Sequence, residues 1–271
     1  MKCELKKHIS HPSPLTPYLL KSVLVLMAVM LATASCTTHY TVSSVERTRL
    51  LIDKRYDRPM TDEVSTFMKP FKAKVDSLMS PVLGRAAQPL QAYRPESPLS
   101  NLLPDVLVWA GKLYNEKPDF GVYNMGGIRA SFAKGNITIG DVFEVAPFEN
   151  KICFITLSGE KVLELLGQIC FRKGEGISHE VRITATPEGK LIQATIGGKE
   201  IDPSAQYRIA TIDYVSHGND RMTAFKSGTD RRELTSDDDL LRAVIMKYIK
   251  EKTANGQEVD CQIEGRYIVE E

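Results

Sequence analysis

Phe120-Gly-Val-Tyr-Asn-Met-Gly-Gly-Ile-Arg129 is the stretch on which the reading of the fold turns. Phe120–Tyr123 reads as a short strand, and the paired glycines after Asn124 stop it in a tight turn. Beyond it, Asn136–Ile139 reads as short and extended, Asp141–Val145 as one helical turn and Lys151–Leu157 as a strand. Ser158-Gly-Glu160 then opens a helix to about Ile169, with Val162, Leu165 and Leu166 facing inward. Helices and short strands follow one another without strict β-α-β alternation. That order predicts an α+β fold, a mixed or antiparallel sheet with packed helices, over a doubly wound parallel sheet.

The flanks extend the same pattern. Upstream, Lys117-Pro118-Asp119 ends a helix expected over Ser100–Asn115, and a Pro-rich turn (Pro89, Pro95, Pro98) separates it from a strand within Val82–Leu90. Thr61-Asp62-Glu63 has the hydroxyl and acids of a helix start. Val64, Phe67, Met68, Phe71, Val75, Leu78 and Met79 follow at helical spacing, so their face is expected in the core, and Pro81 ends the helix. Tyr40–Asp53 reads as extended. Downstream, Val181–Thr186 and Leu191–Ile196 flank Pro187-Glu-Gly-Lys190 as a hairpin, and Tyr207–Tyr214 is a strand. Ser216–Asp220 is a polar loop, Ser236 with three aspartates is expected to cap a helix to about Lys252, and Ile263–Val269 to close the chain as a strand.

The chain has 271 residues, 35 Lys+Arg against 34 Asp+Glu, and 42% hydrophobic residues, an ordinary globular mixture. A net charge of +1 argues against binding a nucleic-acid polymer, which needs a basic surface. The N-terminus reads as an address. Lys2, Lys6, Lys7 and Lys21 precede the apolar run Val23–Ala32, and small residues lead to Cys36. The run is shorter than the roughly 20 residues of a membrane-spanning helix. Ala34-Ser35-Cys36 resembles a bacterial lipobox, with Thr33 where such boxes usually carry Leu. It predicts cleavage after residue 35, lipid on Cys36 and anchoring of an exported protein to the cell envelope. The expected organisation is a signal at 1–35, a tether and extended segment at 36–60, and one domain at 61–271 whose motifs lie within 82–267. The mature chain would hold 236 residues at net charge −2. Its remaining cysteines, Cys153, Cys170 and Cys261, form no C-x-x-C pair. Cys153 in Ile152-Cys-Phe-Ile155 reads as a small buried apolar residue.

Motifs for autonomous hydrolysis do not occur. Only His179 and His217 fall in the expected domain, and H-x-H, D-x-H, N-H-E, H-E-x-x-H, G-x-S-x-G and P-loop patterns are missing. Three polar loops carry the positive signal. Asn124–Arg129 offers a close-approach glycine turn and a forked donor for phosphate or carboxylate. Ala146-Pro-Phe-Glu-Asn150 offers an aromatic face and an amide. Tyr214-Val-Ser-His-Gly-Asn-Asp220 offers an aromatic at a strand end and a carboxylate able to accept sugar hydroxyls. Together they match a nucleoside phosphate.

Asn124-Met-Gly-Gly-Ile-Arg-Ala130, Gly135-Asn-Ile-Thr-Ile-Gly-Asp-Val142, Pro147-Phe-Glu-Asn150, Leu157-Ser-Gly-Glu160 and Tyr207–Tyr214 with Gly218-Asn-Asp220 follow one another in a familiar order. In that order they resemble the C-terminal domain of the 5′-nucleotidases, over about Val82–Tyr267. The resemblance implies an α+β domain that binds the nucleoside part of the substrate. It implies Phe148 and Tyr214 as a base sandwich, Asn150 beside the base and Asp220 on the ribose. Arg129 and Arg94 fall on the phosphate side, Gly126 and Gly127 in the turn beneath it, with Asn124 at its start and Gly176 at the rim. The chain departs from the family pattern at Met125, where a glycine is usual, and at Asn219 and Arg221, beside Asp220. The metallophosphoesterase half has no counterpart in this sequence, so no catalytic residue or cofactor is expected here. Divalent metals are expected only in a separately encoded metallophosphoesterase partner. The resemblance leaves open a non-catalytic envelope nucleoside-binding protein or a structural lipoprotein.

Overall fold

The computed structural model describes residues 21–27, 43–49 and 62–270. Contacts divide the chain into Met1–Pro59 and Met60–Glu271. In the first unit, residues 21–27 are helical and exposed. Residues 43–49 have no regular secondary structure where an extended segment was expected, and no described strand pairs with them. The remainder of that expectation, and the whole of the Ala34-Ser35-Cys36 site, lies outside the described residues. No helix among the described residues is long and apolar enough to cross a membrane.

The second unit opens with α1 (Asp62–Met79), β1 (Val82–Ala86), α2 (Pro98–Ala110), β2 (Phe120–Tyr123), β3 (Gly135–Thr138) and α3 (Ile139–Val145). It continues with β4 (Ile152–Ser158), α4 (Gly159–Phe171), β5 (Gly176–Ile177), β6 (Val181–Ala185), β7 (Leu191–Ile196) and β8 (Lys199–Glu200). The last elements are β9 (Gln206–Ile212), the helical turn α5 (Asp213–Ser216), β10 (Thr229–Glu233), α6 (Leu241–Ala254) and β11 (Tyr267–Val269). The architecture is α+β, as expected. A five-stranded sheet runs β10-β4-β9-β2-β5, a four-stranded one β11-β6-β7-β8, and β1 pairs with β3.

Local chemistry sets most of these boundaries. The second helix starts earlier than Ser100, because Ser97 caps it and Pro98 supplies the fixed φ of a first helical position. The Ser100 amide donates to Ser97 Oγ at 3.3 Å, and the Ser97 amide donates to Ser100 Oγ at 2.9 Å. Ser236 and its aspartates do not cap the long helix, as was expected. They close a separate 3-10 turn, Asp237–Asp239, because Leu240 is extended (ψ 137°) and breaks the run before Leu241. Strand β10 was not read from the sequence. Its Thr-Asp-Arg-Arg-Glu is exposed throughout on the sheet edge, so it shows no apolar alternation.

One apolar cluster underlies the sheets. Ile152, Phe154, Ile155, Ile209, Ala210, Ile212, Phe120 and Val122 are fully buried strand residues, covered by Leu99, Leu103, Val106 and Leu107 of α2 and by Val162, Leu165 and Ile169 of α4. Cys153, Cys170 and Cys261 are buried and unpaired. Burial pushes their thiols up to about 11, 11 and 12 respectively. The first helix departs from expectation. It spans the expected residues, but none of them is buried. Phe67, Phe71 and Leu78 are 68%, 57% and 56% exposed. Helical periodicity identifies a face; it does not supply the partner that covers it.

The five-stranded sheet places the site. Strand β9 pairs in parallel with β2 and antiparallel with β4, with Ile152 opposite Ile212. The C-terminal ends of β2 and β9 and the N-terminal end of β4 therefore meet at one sheet edge. The three polar loops are the segments that leave or enter there.

Candidate functional site

Asn124, Gly126, Gly127, Phe148, Asn150, Tyr214 and Asp220 line one cleft of about 230 Å³ at this edge. Seven of the sequence-predicted residues thus converge from positions spread over three loops. Phe148 and Tyr214 remain 45% and 41% exposed, so a large aromatic surface stays open on the cleft.

The turn after β2 is a 3-10 turn in which the Gly127 amide donates to Asn124 O at 3.0 Å. A Cβ on Gly127 would come within 2.4 Å of Tyr123 Oη and 2.9 Å of Asn124 Oδ1, so glycine is required for this close approach. Asn124 is 4% exposed, and its Nδ2 donates to Asp220 Oδ2 at 2.6 Å. Among the described residues its Oδ1 has no hydrogen-bond partner. A buried acceptor left unmatched costs about 1–3 kcal/mol, and Asn124 is one of the residues that line the cleft.

Two supports of the cleft loops, Glu175 and Arg242, carry no signal in the sequence. Glu175, whose side chain is fully buried, accepts the Met125 amide through Oε2 at 2.5 Å. Its Oε1 receives Arg94 Nη2 at 2.5 Å and also Arg172 Nε. Arg94 therefore does not line the cleft. It is held by Glu175 and by the Gly174 carbonyl (2.8 Å), and it lines a separate depression with Pro95 and Lys173. Gly176 is likewise not at the rim. It is buried in β5, where a Cβ would meet Ser100 O at 2.7 Å and Tyr123 O at 3.0 Å, so it lets α2 lie against the sheet. The other missed support is Arg242. It donates to the Phe148 carbonyl at 3.1 Å and stacks over Phe143 at 4.9 Å. The Leu241 amide donates to Asn150 O at 2.9 Å, so the start of α6 fixes the Phe148 loop.

Arg129 joins the two loops. Its amide donates to Val145 O at 3.0 Å, and its guanidinium lies 6.0 Å from the centre of the Phe148 ring. Tyr214 does not end a strand. It sits in the helical turn α5, because β9 stops at Ile212 and the His217 amide closes back on Asp213 O. Asn219 Nδ2 donates to the Tyr214 carbonyl at 2.8 Å, and Tyr214 Oη stands 3.5 Å from Asp220 Oδ1. Asp220 and Arg221 both adopt left-handed backbone (φ 53° and 62°), which Asp tolerates better than Arg. The Arg221 guanidinium lies 5.8 Å from the Phe171 ring centre. Asn219, Asp220 and Arg221 thus keep the loop without the glycines usual in the family.

His179 pairs with Glu264 and His217 with Glu233, each at 2.8 Å. Among the described residues no three His, Cys, Asp or Glu side chains group in a way that could hold a metal ion.

Fold and cleft define an α+β domain with a hollow formed by three loops at one end of its five-stranded sheet. Residues 80–227 match the family described as 5′-nucleotidase, C-terminal domain, and the chain belongs to that family. Protein UshA of Salmonella pullorum is 32% identical over 117 residues, 42% of this chain and 21% of that protein. A 5′-nucleotidase of Vibrio cholerae serotype O1 is 27% identical over 162 residues, 57% of this chain and 28% of that protein. Among solved structures, the 5′-nucleotidase precursor from Thermus thermophilus superposes with a TM-score of 0.63 at 26% identity, covering 76% of this chain and 42% of that one. The chain spans less than a third of the length of these two curated relatives.

Proposed function

We propose that this chain is the nucleotide- or nucleoside-binding half of a 5′-nucleotidase, exported and lipid-anchored through Cys36. In this reading it acts in nucleotide catabolism with a metallophosphoesterase encoded separately. The observation that carries the binding function is the convergence of Phe148, Tyr214, Asn124, Asn150 and Asp220 on one cleft. A purine or pyrimidine that enters the cleft gains stacking and apolar burial against the half-exposed rings of Phe148 and Tyr214. The Asn150 amide can donate to and accept from a base edge. Asp220, one oxygen of which is fixed by Asn124 Nδ2, accepts ribose hydroxyls. Arg129, 6.0 Å from the Phe148 ring centre, is the cation we assign to the phosphate. Any divalent metal belongs to the partner, and no step of hydrolysis is assigned to this chain.

A joint assay tests the pairing. The full chain is mixed with each metallophosphoesterase encoded in the same genome, and phosphate release from AMP is measured. The reading expects one mixture to exceed the sum of its components, and Phe148→Ala to remove the gain. No gain with any of them would leave a nucleoside-binding protein that works alone.

A further inference from the structure

We infer that the exposed apolar face of α1 is the surface on which the phosphoesterase partner docks. The inference rests on the two-chain reading above and names the contact through which the chains would meet.

Phe67, Met68, Phe71, Val75 and Leu78 recur along α1 at three- and four-residue spacing and are 44–68% exposed. The Phe67 and Phe71 rings lie 5.4 Å apart and form the centre of the stripe. Helices α2 and α4 of the same unit bury most of their apolar residues, with Phe171 at the end of α4 exposed. Contiguous apolar patches of this kind on soluble proteins mark interaction sites.

The position of the helix identifies the occupant. α1 ends at Met79, and the family match begins at residue 80. The superposition on the Thermus structure covers 76% of this chain, more residues than run from 80 to 270, so the likeness extends upstream of residue 80. More than half of that Thermus chain lies outside the superposed part. In a family named for its C-terminal position, the preceding polypeptide joins this domain at α1. The element that adjoins the rest of a one-chain relative is here the helix of the second unit that has none of its described residues buried. A membrane fits the face less well. Lys69, Lys72 and Lys74 are balanced by Asp62, Glu63 and Asp76, and Lys72 already pairs with Asp76 at 2.8 Å, whereas interfacial helices carry a strongly basic polar face.

The test uses the full chain, with Phe71→Glu and Phe67→Glu as variants and circular dichroism to confirm retained helix. Binding to each purified metallophosphoesterase of the same genome is measured by surface plasmon resonance, and binding of AMP by calorimetry. The expected result is saturable binding of one phosphoesterase, weakened about tenfold or more by Phe71→Glu and unaffected by Phe148→Ala. AMP affinity should be equal in wild type and Phe71→Glu. Phosphoesterase binding that is indifferent to both α1 substitutions overturns the inference. So does a dimer of the chain alone that Phe71→Glu dissociates in sedimentation, or Phe71-dependent flotation with phosphatidylglycerol vesicles. AMP binding with no docking partner also overturns it and leaves the cleft reading intact. Phe71-dependent docking without AMP binding removes the cleft reading and leaves this one standing.

Discussion

The two ends of the five-stranded sheet are built from similar residue types and behave oppositely. At the end away from the cleft, Arg208 donates to both oxygens of Glu116 (2.8 and 2.9 Å), to Thr156 Oγ1 and to the Asp230 carbonyl. Arg232 adds a bond to Glu116 at 3.0 Å. Every nitrogen of Arg208 that can donate from its side chain is matched within the chain. Left-handed non-glycine backbone occurs at both ends, at Asn115 and Asp230 away from the cleft and at Asp220 and Arg221 beside it. So, among the described residues, does an unmatched buried oxygen, on Tyr114 and on Asn124. What sets the cleft end apart is that two aromatics stand half in solvent around a hollow lined with amides and a carboxylate. Charges matched internally stabilise the fold and offer nothing to a ligand. Aromatic faces left open in a cleft beside a few convergent polar groups are the signature of a site.

Substitutions at the two ends should therefore separate stability from binding. The largest effect is expected at the satisfied end. Arg208→Ala leaves the half-buried Glu116 short of its main partner and should cost about 3 kcal/mol of unfolding free energy, with AMP affinity unchanged in the folded protein. Glu175→Gln lies behind the cleft and should move both. Losing its charge beside Arg94 and Arg172 should cost about 2 kcal/mol, and a looser Met125 turn should weaken AMP binding several-fold in calorimetry. A stability loss with unaltered affinity would show that Glu175 has no part in holding the turn.

The pH dependence is smaller and belongs to the satisfied end. Hydrogen bonding from Arg208 holds the Glu116 carboxyl below its usual 4.5, helped by Arg232 and opposed by burial. A folded-state value below the unfolded one gives stability that is present above pH 4.5 and lost as pH falls through the lowered value. Thermal midpoints measured from pH 6 down to pH 3 should fall, and Arg208→Ala should flatten that part of the curve. The smallest effect is expected for Arg221→Gly. Relief of left-handed strain, about 1–2 kcal/mol, is offset by glycine's backbone entropy and by the lost Phe171 contact. Its stability should stay within about 1 kcal/mol of wild type.

The cleft was legible in the sequence to an unusual degree because its chemistry resides in residue types. Two aromatics, two amides and an acid next to strand ends are visible without coordinates. Their convergence was not, since it depends on β9 lying between β4 and β2. The supports were hidden for a different reason. Glu175 in Arg172-Lys-Gly-Glu175 has the composition of a solvated charged turn, and only its burial reveals a carboxylate holding three donors. Gly176 was recognisable as special, but the reason is a backbone contact with α2 and not a ligand. Tyr214 was placed one element too early because Ile212 and Tyr214 have the same strand-like apolar pattern, while the turn is set by the Asp213–His217 closure. The first helix shows the limit of periodicity most clearly. Its stripe was legible and its partner was not.

Binding of a nucleoside phosphate in the cleft lined by Phe148 and Tyr214 is decided by calorimetric titration of the full chain with AMP, adenosine and a UDP-sugar. Micromolar binding of at least one of them is predicted, weakened about tenfold or more by Phe148→Ala or Tyr214→Ala with thermal midpoints little changed, since both rings are half exposed. No detectable heat with any of the three, or binding that survives removal of both rings, would contradict it.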